Sequence, residues 1–141
     1  MRTMEGYART SLIRLLARVG QELTRATTGA NADADTVHDV RVAIRRANQG
    51  LRVFAGLVPH RQAKKARRRL KRALDAASGV RDCDIALQLF GEVRLPPAHP
   101  AWEETRARRM LAENHFRTVV RELVEEFENG AWRERLGLES S

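Results

Sequence analysis

Residues 37–54 constrain the fold of this chain more than any other stretch. Placed on a helix at about 100° per residue, Val37, Val40, Ile44, Ala47, Leu51 and Phe54 fall on one apolar stripe. His38, Arg41, Arg45, Asn48 and Arg52 repeat the same three-and-four spacing one residue later. They form a polar stripe along the edge of the buried face. A merely soluble helix scatters mixed charges over its outer side, whereas this one aligns a histidine and three arginines. Such a row presents several donors to one extended anion.

Three further long segments carry helical periodicity. The first runs from about Glu5 to Thr27, with Leu12, Leu15, Leu16, Val19 and Leu23 as its buried stripe. Residues Thr28 to Asp35, with Gly29, Asn31 and two aspartates, break it. Either Asp33 or Thr36 caps the second helix, and Thr36-Val-His-Asp39 has the form of a capping box. That helix is expected to run to about Leu57, with Pro59 just beyond it. The third starts near Arg61, with a narrow stripe of Ala63, Ala66, Leu70, Ala73, Leu74 and Ala77. Ser78-Gly79-Val80-Arg81-Asp82 reads as a C-terminal glycine followed by an aspartate cap, and a short helix over Cys83–Phe90 follows. Leu95 to Pro100, with three prolines, is a loop. The last helix covers about Ala101 to Asn129, with Met110, Leu111, Val119, Val120, Leu123, Val124 and Phe127 as apolar positions. No segment alternates convincingly with a period of two. The expected fold is therefore all-α: an antiparallel four-helix bundle with a short extra helix and a basic groove along helices 2 and 3.

At 141 residues the chain fits one domain spanning 1–141, large enough for one modest core. Net charge is +8 and the pI is about 11.1. So basic a balance points to a polyanionic partner: nucleic acid, an anionic membrane or polyphosphate. Cys83 is the only cysteine, which excludes an internal disulfide. No apolar run approaches a membrane span, and the first residues lack a signal peptide's apolar stretch. The expectation is a cytoplasmic protein without membrane association.

The third helix adds a second charge signal. Arg61, Lys64, Lys65, Arg67, Arg68, Arg69, Lys71 and Arg72 fall within twelve positions, and Asp75 is the only acid between Arg61 and Ala77. Mutual repulsion destabilises such a helix by a few tenths of a kcal/mol per i,i+4 pair, about as much as an opposite pair stabilises it. A solvated face is the ordinary fate of such a run. Scarce internal acids favour a counter-charge from outside instead. If the second and third helices face each other, His38, Arg41, Arg45 and Arg52 oppose a subset of these cations. A groove of like charge concentrates anions. Arginines fork onto phosphate oxygens, and lysines add point charge. Free backbone N–H groups near His38 are expected to add an anion site at the helix start.

His38 admits three roles. A general acid–base role lacks a nucleophile or carboxylate pair at telling spacing. A metal-ligand role lacks partners, because His60, His99 and His115 are scattered. A donor to an anion fits arginines at i+3 and i+7; a histidine bonded near a helix start is the plain alternative. Around Arg81-Asp82-Cys83-Asp84, local physics favours a cap at Asp82, carboxylates that hold arginine rotamers, and a packed rather than reactive Cys83.

Val37-His-Asp-Val-Arg-Val-Ala-Ile-Arg-Arg46, Leu51-Arg-Val-Phe54, Leu70-Lys71 and Val80-Arg-Asp-Cys-Asp-Ile85 together resemble the CHAD family, the conserved histidine α-helical domain. The resemblance implies an all-helical, non-enzymatic module that binds inorganic polyphosphate in a basic groove. Such proteins are often associated with polyphosphate granules or fused to triphosphate-tunnel domains. The matching positions are His38, Arg41, Arg45, Arg46, Arg52, Lys71, Arg81 and Asp82. Lys64, Arg67 and Arg68 join them as candidate polyphosphate-binding cations, with Asp82 in support. Two departures stand out. Asn48 replaces a further arginine common in the family, and the chain resembles only the N-terminal half of a double bundle. Either one bundle suffices, or two chains pair as a homodimer to rebuild the groove.

A nucleic-acid-binding helical protein is the alternative, although stacking aromatics are few and no helix-turn-helix spacing stands out. A phosphohydrolase would need metal-binding carboxylates or an activated nucleophile. The acids cluster instead as Glu122, Glu125, Glu126 and Glu128 in the last helix. No catalytic residue, metal site or cofactor is expected.

Overall fold

The computed structural model describes residues 3–29, 32–128 and 130–138. Four long helices account for most of them: α1 (Met4–Thr28), α2 (Ala34–Val53), α3 (His60–Glu92) and α4 (Pro100–Glu128). A 3-10 turn, Ala55–Leu57, joins α2 to α3, and a short α5 (Ala131–Arg135) follows α4. The described residues contain no strand.

Local chemistry sets the helix starts. The Thr3 hydroxyl accepts the Gly6 N–H at 3.0 Å, and the Asp33 carboxylate accepts the Thr36 N–H at 2.8 Å. Pro100 opens α4, where its missing N–H costs nothing. The helices pack in a closed ring, α1 on α2, α2 on α3, α3 on α4 and α4 back on α1. The core inside that ring takes Leu12, Leu16 and Leu23 from α1, and Val40, Ile44 and Leu51 from α2. Leu70, Ala73 and Val80 come from α3, and Phe116, Val120 and Leu123 from α4. Truncating one of these leucines to alanine typically costs about 2–5 kcal/mol. At Gly50 a Cβ would lie 2.6 Å from Leu15 Cδ1, so the missing side chain lets α1 and α2 approach closely there.

Ion pairs lock the second half of the ring. Arg69 meets Glu126 at 3.0 Å, Arg72 meets Glu122 at 2.7 Å, and Asp84 meets Arg109 at 2.6 Å. The numbering falls along α4 as it rises along α3. Arg109 is the hub: it also pairs with Glu113 at 3.1 Å and donates to the Ala32 carbonyl at 3.0 Å. Glu113 in turn accepts the Ala32 N–H at 2.7 Å, which ties the α1–α2 connection to the α3–α4 pair. The Asp84 hydrogen bond raises the Arg109 pKa above its ordinary value; burial opposes it, and the Asp84 and Glu113 charges reinforce it.

Several expectations about element ends are corrected. Asp33, not Thr36, caps α2, and Thr36 sits inside the first turn. α2 ends at Val53 rather than near Leu57, because the chain tightens into the 3-10 turn before Pro59. α3 does not stop at Gly79. It runs unbroken through Ser78–Asp82, so Asp82 is no cap and Cys83–Phe90 is the end of α3 rather than a separate helix. The reason is tertiary: Gly79 faces the Ala112 methyl of α4, and Ala76, Ala77, Val80 and Cys83 continue the buried stripe through it. Met110 and Leu111 are exposed at 65% and 70%, and Thr105 and Phe116 take the buried positions instead. The expected helix end at Asn129 and the linker residue Asn31 lie outside the described residues.

Candidate functional site

The polar edge of α2 meets α3 across a groove of about 670 Å3. Asn48, Leu51, Arg52 and Ala55 line one wall; His60, Ala63, Lys64, Arg67, Arg68, Lys71 and Leu74 line the other. The amphipathic spacing of each helix explains the arrangement. Leu51, Ala63 and Leu74 turn toward the core, and the residues one turn step away stand at the rim. Lys71 pairs with Asp75 at 3.0 Å. Arg52, Lys64, Arg67 and Arg68 form no ion pair with another described residue.

Arg41 lies further along the same face of α2, seven residues before Asn48 and eleven before Arg52. It is only 6% exposed, and its Nε has no hydrogen-bond partner among the described residues. Burial lowers its pKa from the ordinary value, and the Arg45 and Arg81 charges push the same way, against Asp82. The guanidinium nonetheless stays protonated at any physiological pH. The charges that act on Arg41 thus come from Arg45 of α2 and Arg81 of α3, both exposed. Asp82 is felt by Arg41 but forms no ion pair with it among the described residues. The carboxylate that does hold an arginine is Asp84, on Arg109.

Not every expected residue joins this face. Arg46 lies on the opposite flank of α2, in a shallow recess with Arg14, Arg18 and Asp39 against α1. His38 is exposed and stands in the second turn of α2. The N–H groups nearest His38, expected to add an anion site, are already engaged. The Thr36 and Val37 amides bond to Asp33, and the His38 amide is already inside the helical ladder. His60, in the sequence only one of several scattered histidines, lines the groove at the first position of α3. Its signal in the sequence was faint: it follows Pro59 one residue before the basic run.

A second groove of about 740 Å3 lies between α1 and the α4–α5 corner. Leu16, Gly20, Phe127 and Trp132 line it, with Arg25 and Arg133 at the rim. Arg25 is held by Glu22 at 3.1 Å and by Asp39 at 3.6 Å, and Arg133 stacks over the Trp132 ring at 5.3 Å. This groove carries no row of cations. No cluster of three or more histidine, cysteine, aspartate or glutamate side chains suited to a metal occurs among the described residues. No described helix is long and apolar enough to cross a membrane.

No curated protein and no solved structure was found to match the chain. The family model of the CHAD domain matches residues 13–138, which takes in both walls of the cation-lined groove and the ring of helices that holds them. The motifs on α2 and α3, the all-helical architecture and a match over most of the chain agree, and the chain belongs to the CHAD family.

Proposed function

We propose that this protein is a non-catalytic module that binds inorganic polyphosphate along a basic groove between α2 and α3 of an antiparallel four-helix bundle. One observation carries the reading: Arg52, Lys64, Arg67 and Arg68 face a single groove with no carboxylate partner among the described residues. A row of unpaired cations at helical spacing suits a linear chain of phosphates, each taking bidentate arginine contacts or lysine point charge. His38, Arg41, Arg45, Arg81 and Lys71 extend the row, with Asp82 beside it. Arg46, on the opposite flank of α2 against α1, stands outside this groove. Membership of the CHAD family supports the same ligand.

Competition separates this reading from its alternative, nucleic-acid binding. Labelled long-chain polyphosphate, bound near physiological salt, is challenged with RNA, duplex DNA and short phosphates at equal phosphate concentration. Polyphosphate that resists the challenge supports a dedicated site. Equal displacement by nucleic acid transfers the function to nucleic-acid binding. Salt dependence alone does not discriminate, because both ligands lose affinity through counterion release. Two further parts of the proposal are assembly of two chains into a wider groove and recruitment to cytoplasmic polyphosphate granules. A monomer by light scattering, both with and without polyphosphate, overturns the first. A fluorescent fusion that stays off the granules overturns the second.

A further inference from the structure

Resting on the polyphosphate reading, we infer that the site has two unlike compartments. Arg41, Arg45 and Arg81 form an anchor that captures a short run of phosphate, and the open groove beyond Asn48 holds the remainder of a longer chain. The distinction comes from burial. Arg52, Lys64 and Arg68 are exposed to water, as are Arg45 and Arg81, whereas Arg41 is 6% exposed and its Nε has no hydrogen-bond partner among the described residues. A desolvated guanidinium without a counter-charge is costly, and here its charged neighbours are two more arginines and the single Asp82. An anion reaching this junction meets the desolvated Arg41, where a contact is stronger than at the rim, with the exposed Arg45 and Arg81 beside it.

The compartments are also set apart along α2. Asn48 interrupts the cation row, and its buried Oδ1 has no hydrogen-bond partner among the described residues. With 1.5 Å of rise per residue, Arg41 lies about 10 Å from Asn48 and about 16 Å from Arg52 along the helix. A short oligophosphate therefore fits the anchor without reaching Lys64, Arg67 or Arg68. A long chain engages both. Binding at the exposed cations is screened by salt, and the contact to the buried Arg41 resists it.

The test is calorimetric titration with tripolyphosphate and with long-chain polyphosphate, on the whole chain, at low and moderate salt. Arg41→Met and Arg81→Gln each should weaken tripolyphosphate roughly tenfold or more. Lys64→Gln/Arg67→Gln/Arg68→Gln should leave tripolyphosphate within about twofold while weakening the long chain and flattening its salt dependence. Arg81 is exposed, so its variant keeps the test decisive if Arg41→Met fails to fold by circular dichroism. Equal loss of tripolyphosphate affinity in the triple variant overturns the division. So does a wild-type protein that binds the long chain but not tripolyphosphate. In both cases the polyphosphate reading stands; a wild-type protein that binds neither phosphate overturns the two together.

Discussion

The two flanks of α3 carry the same basic run and meet opposite fates. On the flank facing α4, Arg69 and Arg72 are neutralised by Glu126 and Glu122. On the flank facing α2, Lys64, Arg67 and Arg68 have no such partners among the described residues. One flank thus uses charge to fasten two helices, and the other keeps it available. The contrast teaches that charge density alone does not identify a binding face. What identifies it is which cations the fold leaves uncompensated.

The largest expected effect tests the open flank. Replacing Lys64, Arg67 and Arg68 together by glutamine should weaken long-chain polyphosphate by roughly 100-fold or more, at about 1.5–3 kcal/mol per charged hydrogen bond. Helicity should not change. Affinity equal to wild type would remove this flank from the site. Next comes the closed side. Arg109→Ala breaks the partly buried link among Asp84, Glu113 and Ala32 and should cost about 2 kcal/mol of stability in urea unfolding. Polyphosphate affinity should hold, and a parallel loss of binding would dissolve the distinction between the flanks.

A smaller effect sharpens it. Glu122→Gln with Glu126→Gln releases Arg72 and Arg69, at under about 1 kcal/mol per pair because both pairs are largely solvated. The freed arginines point away from the α2 groove, so polyphosphate affinity should rise less than the triple variant lowers it. A rise of equal size would mean that any uncompensated cation serves. The smallest effect is local to the start of α2. Hydrogen bonds from Thr36 depress the Asp33 pKa below the usual carboxylate value. The cap is therefore intact above that usual value and is lost as pH falls through the lowered one. Amide exchange at Thr36 should speed up in acid, and Asp33→Asn should flatten that pH dependence while keeping the cap. An unchanged acid profile in Asp33→Asn would assign the response to another group.

The helical segments, the apolar stripe of α2 and the polar row at its edge could be read from periodicity, because both patterns repeat within one element. The end of α3 could not. Ser78-Gly79 has the chemistry of a helix stop, but packing against Ala112 outweighed the local preference, at a propensity cost of about 1 kcal/mol for a mid-helix glycine. Met110 and Leu111 misled for the same reason: their apolar character is local, and their exposure depends on how α4 is rotated against α3. Asp82 has the chemistry of a cap, but it lies inside α3 because the helix continues past it.

The sequence by itself determined an all-helical chain, a strongly basic balance and the alignment of Arg41, Arg45 and Arg52 on one face of α2. These follow from composition and from a 3.6-residue period. Tertiary structure alone decided which third-helix cations remain free, because the acids that neutralise Arg72 and Arg69 lie 50 and 57 residues away. It also decided that Arg41 is buried within reach of the Arg45 and Arg81 charges, with no partner for its Nε among the described residues. Burial and pairing are properties of the space between helices, and no single helix encodes that space.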